Sequence, residues 1–153
     1  MLWSHEHGSL GGDELNLIVA GRNYGWPVIT HSLDYSGKPM GVGTAREGME
    51  QPVHHWTPAI APSGLAVESS GTGAGTVLWI GALAGQSVIR LAMEDGRIVR
   101  EQRMLTEELG RIRDVRVGPD GHLYVITDSP EGALYRLERA VEQAARRNDK
   151  NPL

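Results

Sequence analysis

The feature that most constrains the fold is a pattern of short apolar strands that repeats at an interval near 45 residues. Trp79 and Tyr124 are 45 residues apart and Arg90 and Arg136 are 46 apart, each pair at the same place in the pattern. A repeat of this length, built of four short strands, is typical of a β-propeller blade. The sequence therefore predicts an all-β fold of stacked four-stranded sheets.

Seven apolar runs separated by turn residues make up this pattern after residue 63. Asp95-Gly96 joins two of them and is typical of a two-residue β-hairpin. Two earlier runs, 2–5 and 14–19, are also predicted strands, whereas 28–63 is predicted to be a long loop with one short strand. The seven runs are residues 64–67, 76–81, 87–92, 97–101, 112–117, 122–127 and 133–137.

The strand count defines the domain organisation. It gives about two and a half four-stranded blades, and a propeller needs at least four blades to close. We therefore expect residues 1–138 to be the C-terminal part of a larger propeller, with open sheet edges that favour self-association. Residues 139–153 are rich in Ala, Glu and Arg and are predicted to be a short helical or disordered tail.

Composition excludes several classes of function. The net charge of −4 argues against a nucleic-acid partner. The chain has no cysteine, so disulfides, thiolate metal sites and cysteine nucleophiles are excluded. It also has no run of about 18 apolar residues, and its first residues lack the pattern of a signal peptide.

The stretch 7–18 is the first candidate binding segment. It combines glycines, whose backbone can turn carbonyl oxygens toward a ligand, with the adjacent carboxylates Asp13 and Glu14. Carbonyl and carboxylate oxygens are the ligands of a hard cation. Composition alone nevertheless favours solvated loop charges for this pair. Glu14 and Tyr24, ten residues apart across a turn, are compatible with a cation site or with a hydrogen bond.

Arg111 and Arg113 form the second candidate. They are two residues apart at the start of a strand, so both guanidinium groups are predicted to project to the same side. Such a fork suits a ligand with several carboxylates, because arginine binds carboxylates in bidentate fashion. The alternative is a solvated pair that balances Asp114 and Glu108.

Six segments together closely resemble the soluble quinoprotein glucose/sorbosone dehydrogenase family, especially its bacterial aldose sugar dehydrogenase branch. They occur in the order found in the family and span nearly the whole chain, which makes the combination specific. The segments are residues 6–8, 11–16, 21–27, 51–53, 80–83 and 111–121.

The resemblance implies a six-bladed propeller that uses pyrroloquinoline quinone (PQQ) and calcium to oxidise aldose sugars to lactones. It also implies an external electron acceptor and a periplasmic or secreted location. By resemblance, Gly8 and Ser9 offer main-chain carbonyls to the quinone-bound calcium, and Glu14 and Tyr24 match a structural calcium site. The cofactor-lining positions are Tyr35, Ala82, Leu83, Ala84, Arg111 and Arg113.

The resemblance assigns no catalytic residue to this chain. The family's catalytic histidine lies upstream of the matched region, and none of the six histidines here corresponds to it. We therefore expect the chain to be inactive alone. Two other functions stay open: a non-catalytic propeller binding module, and a calcium-dependent lactonase-type propeller hydrolase. The hydrolase needs no quinone and hence no arginine fork for carboxylates.

Overall fold

A computed structural model of the chain describes residues 1–69 and 75–138. These residues form ten strands in three antiparallel sheets and no helix. The described part of the chain therefore has no helix that could cross a membrane. The all-β prediction is confirmed, but among the described residues only the middle sheet has the predicted four strands and the other two have three. The predicted tail at 139–153 lies outside the described residues. The strands are β1 (Leu2–Glu6), β2 (Asp13–Ile18), β3 (His54–Trp56), β4 (Pro62–Ser69), β5 (Thr76–Ala82), β6 (Ser87–Glu94), β7 (Arg97–Met104), β8 (Ile112–Val117), β9 (Leu123–Thr127) and β10 (Leu134–Leu137).

Strand register explains the repeat seen in the sequence. Trp79 lies opposite Arg90 across β5 and β6, and Tyr124 lies opposite Arg136 across β9 and β10. The two aromatic–arginine pairs therefore occupy equivalent places in the second and third sheets. In the first pair the guanidinium carbon is 5.7 Å from the centre of the indole ring, which is within range of a cation–π interaction.

The Asp95-Gly96 hairpin between β6 and β7 is also confirmed. Both residues have positive φ, 48° for Asp95 and 75° for Gly96. Positive φ at both central positions is the mark of a type I′ turn, whose twist matches that of the flanking strands.

The core consists of two apolar layers on opposite faces of the middle sheet. Because side chains alternate between the faces of a strand, Leu78 and Ile80 pack toward the first sheet with Leu15 and Trp56. On the opposite face, Val88 packs with residues of the third sheet. Each fully buried aliphatic side chain contributes about 1.5–3 kcal/mol. The three sheets are therefore held face to face, as neighbouring blades are. The third-sheet members of the second layer are Ile112, Val115, Leu123 and Val125.

The connections that carry the predicted site residues meet at one end of the sheets, which we call the loop end. Register places five connections there. Residues 7–12, 83–86 and 128–133 join paired strands within a sheet, and residues 57–61 and 105–111 join the same ends of two different sheets. Two bonds join neighbouring sheets at this end. The ring Nε2 of His7 donates to the Pro62 carbonyl at 2.6 Å, and Ser63 Oγ donates to the Ile112 carbonyl at 2.7 Å.

Candidate functional site

Asp13 is the hub of the loop end. Its carboxylate is completely buried and accepts three main-chain hydrogen bonds, from Gly8 at 2.7 Å, Ile60 at 2.6 Å and Ala61 at 2.7 Å. The expectation that Asp13 and Glu14 are solvated loop charges is therefore wrong, since Glu14 is also only 6% exposed. Asp13 instead ties the glycine-rich loop to the segment that leads into the second sheet.

Gly8 and Ser9 have their N–H groups occupied and their carbonyl oxygens unused. The Gly8 N–H donates to Asp13, and the Ser9 N–H donates to Ser32 Oγ at 2.7 Å. Within the part of the chain that the structure describes, neither carbonyl oxygen accepts a hydrogen bond. A Cβ on Gly8 would lie 1.8 Å from the Gly11 carbonyl oxygen, so this path of the loop requires glycine. The loop thus offers two free oxygens of the type that calcium takes.

Tyr35 lies in a tight turn that stands over this loop. The Asp34 carboxylate accepts the Ser36 hydroxyl at 2.7 Å and the main-chain N–H groups of Lys38 and Ser36 at 2.9 and 2.8 Å, and these bonds lower the pKa of Asp34. The turn is joined to the glycine loop because the Leu10 N–H donates to the Leu33 carbonyl. Tyr35 itself is 82% exposed, which leaves its ring free to stack against a planar ligand.

Ala82 ends β5, Leu83 and Ala84 begin the turn after it, and the segment that donates hydrogen bonds to Asp13 holds this turn in place. The N–H groups of Leu83 and Ala84 donate to the carbonyls of Ala61 and Ile60, each at 2.9 Å. Ala82 and Leu83 are buried in the core, whereas Ala84 is exposed. Of these three predicted cofactor-lining residues, Ala84 therefore has the side chain most available to a ligand.

Glu14 is placed directly opposite Glu6 in the β1–β2 pair. Burial raises the pKa of both carboxyls, and they share a hydrogen bond. Asn16 donates to Glu14 at 3.4 Å, while its own Oδ1 is buried and has no partner. Two facing carboxylates and an unpartnered amide oxygen are a donor set that fits a hard cation. Sequence analysis found Glu14 but missed Glu6 and Asn16.

Tyr24 lies toward the opposite end of β2 from the glycine loop. Its hydroxyl donates to the Leu17 carbonyl at 2.7 Å and accepts the Val19 N–H at 2.8 Å. The phenol oxygen of Tyr24 is therefore already engaged in two hydrogen bonds with the main chain. Its role in a calcium site with Glu14 stays a prediction.

Arg111 and Arg113 converge on one carboxylate, that of Asp128. Arg111 Nε is 2.9 Å from Oδ2, and Arg113 Nη2 is 3.0 Å from Oδ1. Pairing with Asp114 and Glu108 is therefore wrong, because Asp114 pairs with Arg116 at 3.1 Å. A register shift between Ile112 and Asp114 places Arg113 in a bulge. The fork thus exists, and its centre is a residue that sequence analysis missed.

The residues present fit both groups that the sequence predicts. Among residues 1–69 and 75–138, no three His, Asp or Glu side chains form a metal-binding group, so calcium would also need amide or main-chain oxygens. Those oxygens are available in the glycine loop and at Asn16. The fork has unused N–H donors for carboxylates, because each guanidinium has five and contacts Asp128 through one nitrogen.

Comparison with known proteins places these features in a family. The sequence profile described as Glucose / Sorbosone dehydrogenase matches residues 1–136. The aldose sugar dehydrogenase YliI of Escherichia coli is 43% identical over 140 residues, which cover 89% of this chain. The chain spans only 34% and 38% of the length of the curated relatives that it matches.

Solved structures give the same result. A crystal structure of a glucose dehydrogenase superimposes with a TM-score of 0.84 at 42% identity, over 90% of this chain and 41% of that one. The PQQ-bound form of an aldose sugar dehydrogenase from Streptomyces coelicolor superimposes with a TM-score of 0.61 at 28% identity. That match covers 88% of this chain and 37% of the Streptomyces chain.

Proposed function

Because the chain belongs to the glucose/sorbosone dehydrogenase family, we propose that it supplies one wall of a PQQ site and a calcium site in an aldose sugar dehydrogenase. In this proposal the three sheets are part of a six-bladed propeller, and the whole enzyme oxidises aldose sugars to lactones. The quinone with its calcium, when bound, accepts the hydride that leaves the anomeric carbon of the sugar.

The observation that carries the proposal is the arginine fork at the loop end. Arg111 and Arg113 meet at one carboxylate on the same end of the sheets as the free carbonyls of Gly8 and Ser9. PQQ has three carboxylates, and paired guanidinium groups bind carboxylates in a fixed orientation. A lactonase-type hydrolase has no such ligand to anchor, so the fork favours the dehydrogenase over the hydrolase.

The remaining residues have separate roles in the proposal. Gly8 and Ser9 hold calcium through their carbonyl oxygens, and Asp13 holds this loop in place by accepting the Gly8 N–H. Tyr35 covers one face of the planar ring system from its exposed turn. Ala84 borders the same site, while Ala82 and Leu83 support it from the core.

Glu14 belongs to a second calcium site in this proposal, together with Tyr24. The support is the facing carboxylate of Glu6 and the unpartnered Oδ1 of Asn16. A divalent cation there would offset the cost of holding two facing carboxylates away from water, which is the burial that raises the pKa of both.

The proposal extends to partners and location. The substrate is an aldose, the electrons pass to an external acceptor, and the enzyme acts in the periplasm or outside the cell. The choice of an aldose is supported by the 43% identity to the aldose sugar dehydrogenase of Escherichia coli. Self-association through open sheet edges is also proposed, because β10 lies at the edge of the third sheet among the described strands and its Leu134 is an exposed apolar side chain.

A calorimetric titration of the 153-residue chain with PQQ, with and without calcium, tests the proposal. We expect calcium-dependent binding that weakens at least tenfold in the double variant Arg111→Ala plus Arg113→Ala, because two charge-assisted contacts are lost. The matched control is Arg97→Ala plus Arg100→Ala, which removes two exposed arginines from β7.

Two results would overturn the proposal. One is the absence of PQQ binding by the folded wild-type chain. The other is equal loss of affinity in both double variants, which would show that only total charge matters. Sugar oxidation by this chain with PQQ would separately contradict the expectation that it is inactive alone.

A further inference from the structure

Asp128 makes three contacts that link both arginines of the fork. Its Oδ2 accepts the Nε–H of Arg111 at 2.9 Å, and its Oδ1 is 3.0 Å from Nη2 of Arg113. Its main-chain N–H donates to the Arg111 carbonyl at 2.8 Å. The carboxylate therefore bridges two guanidinium groups and is attached to the backbone of one of them.

The position of this carboxylate is set by the backbone around it. Thr127, the last residue of β9, exchanges hydrogen bonds with Ala133 across the loop, both at 3.0 Å. The loop at 128–133 is thereby closed directly behind Asp128. The arginine side chains are about half exposed, at 48% and 53%, whereas that of Asp128 is 31% exposed. The most constrained member of the cluster is therefore the aspartate, and the arginines orient toward it.

The cluster keeps a net charge of +1, because two guanidinium groups surround one carboxylate. Without Asp128, two adjacent cations on flexible side chains would repel each other and spread apart. The two arginine contacts lower the pKa of Asp128, so it stays charged at neutral pH. Most N–H donors of both arginines remain available on the side away from it.

We propose that Asp128 is a positioning residue that holds Arg111 and Arg113 in a ready-made fork for a ligand with several carboxylates. This inference rests on the proposed function, because it deepens the same site. A preset fork loses less side-chain entropy when the ligand binds than two free arginines would.

The sign of one substitution separates positioning from a charge effect. Asp128→Asn raises the net charge of the cluster from +1 to +2, so a purely Coulombic role predicts tighter binding of an anion. Positioning predicts weaker binding despite the added charge, because the bridge between the arginines is lost. Asp120→Asn is the charge-matched control, since Asp120 lies in the β8–β9 turn at the opposite end of the sheets.

The experiment measures binding of PQQ with calcium, and of benzene-1,3,5-tricarboxylate alone, to the 153-residue chain and its variants. We expect Asp128→Asn to weaken both by about tenfold, the scale of one charge-assisted hydrogen bond, and Asp120→Asn to leave both unchanged or slightly tighter. Asp128→Glu, which keeps the charge, should recover part of the affinity. In ¹H–¹⁵N spectra, Arg111 Nε–H should be slow to exchange in the wild type and fast in Asp128→Asn.

Each outcome decides the inference. Tighter or unchanged binding by Asp128→Asn overturns it, as does an Arg111 Nε–H signal that the substitution leaves unaltered. Binding of the tricarboxylate but not of PQQ, with the expected loss in Asp128→Asn, supports the inference while the proposed function fails. Binding of neither ligand by the folded wild type overturns both.

Discussion

Two aspartates organise the loop end by opposite physical means. Asp13 is completely buried, and among the described residues its oxygens accept only main-chain N–H groups. Asp128 is partly exposed, and in the same part of the chain its oxygens contact only guanidinium groups. The first fixes the path of the chain through three segments, whereas the second fixes the direction of two long side chains.

The difference shows how structural and functional roles separate within one site. A buried carboxylate without its donors would be strongly destabilising, because neither it nor the amides could reach water. An exposed ion pair contributes little to folding, because water and salt screen it. We therefore infer that Asp13 stabilises the folded loop end, whereas Asp128 affects ligand binding more than folding.

The largest expected effect is that of Asp13→Asn on stability. Asparagine keeps one carbonyl acceptor but places an NH₂ group against main-chain N–H donors. Each buried N–H left unpaired costs about 1–3 kcal/mol, so we expect a total loss of about 3 kcal/mol or more. Urea denaturation followed by tryptophan fluorescence measures it.

The matched variant is Asp128→Asn, the same chemical change at the other aspartate. Its denaturation midpoint should stay close to that of the wild type. Equal urea denaturation midpoints for Asp13→Asn and Asp128→Asn would contradict the assignment of a structural role to one aspartate and a functional role to the other.

A smaller effect is expected from adding a methyl group to each of the two loops. Gly8→Ala places Cβ 1.8 Å from the Gly11 carbonyl oxygen, so the loop must move. In Gly132→Ala the nearest atom, the Thr127 carbonyl oxygen, is 3.3 Å away. We expect Gly8→Ala to lose about 1–3 kcal/mol and calcium-dependent PQQ binding. Similar denaturation curves for the two variants would contradict the tight path assigned to the Gly8 loop.

The smallest expected effect is one of pH, with opposite signs at two carboxyl sites. Burial raises the pKa of Glu6 and Glu14, so the folded state gains stability as pH falls and this gain is complete below the ordinary value of 4.5. In calcium-free buffer, Glu6→Gln should therefore be more stable than the wild type at pH 7. The gap should close as pH approaches 4.5.

Asp128 should show the reverse dependence. Its pKa is lowered, so its contribution is present above the ordinary value of 3.8 and is lost as pH falls below it. The small difference in denaturation midpoint between Asp128→Asn and the wild type should therefore disappear in that acid range. For the first site, a difference in stability between Glu6→Gln and the wild type that does not change with pH would contradict the raised pKa values of Glu6 and Glu14.

Much of the fold could be predicted because its signals are local. The alternation of apolar residues gave nine of the ten strands, and the proline- and glycine-rich stretch was correctly expected to hold one short strand, β3. Trp79 and Arg90 recur as Tyr124 and Arg136 because blades share a register. These features depend on neighbours within about ten residues, which the sequence displays directly.

The centre of the arginine fork was missed because it depends on strand pairing. Arg111 and Asp128 are 17 residues apart and meet because Ile112 pairs with Thr127. Counting outward from the turn at 118–121 places Arg111 opposite Ser129, and only the one-residue shift at the bulge brings it opposite Asp128. Asp13 was misjudged for a related reason, since its partners Ile60 and Ala61 are 47 and 48 residues away.

The sequence by itself determined the all-β architecture, the repeat of the blades and the glycine and arginine segments of the site. Only the tertiary structure decided which charges are buried and which N–H donors each carboxylate binds. The physical reason is that strand formation follows a short-range alternation of side chains, whereas burial and hydrogen-bond partnership arise when distant segments meet. At the loop end, such contacts pair Asp13 with main-chain N–H groups and Asp128 with the two arginines.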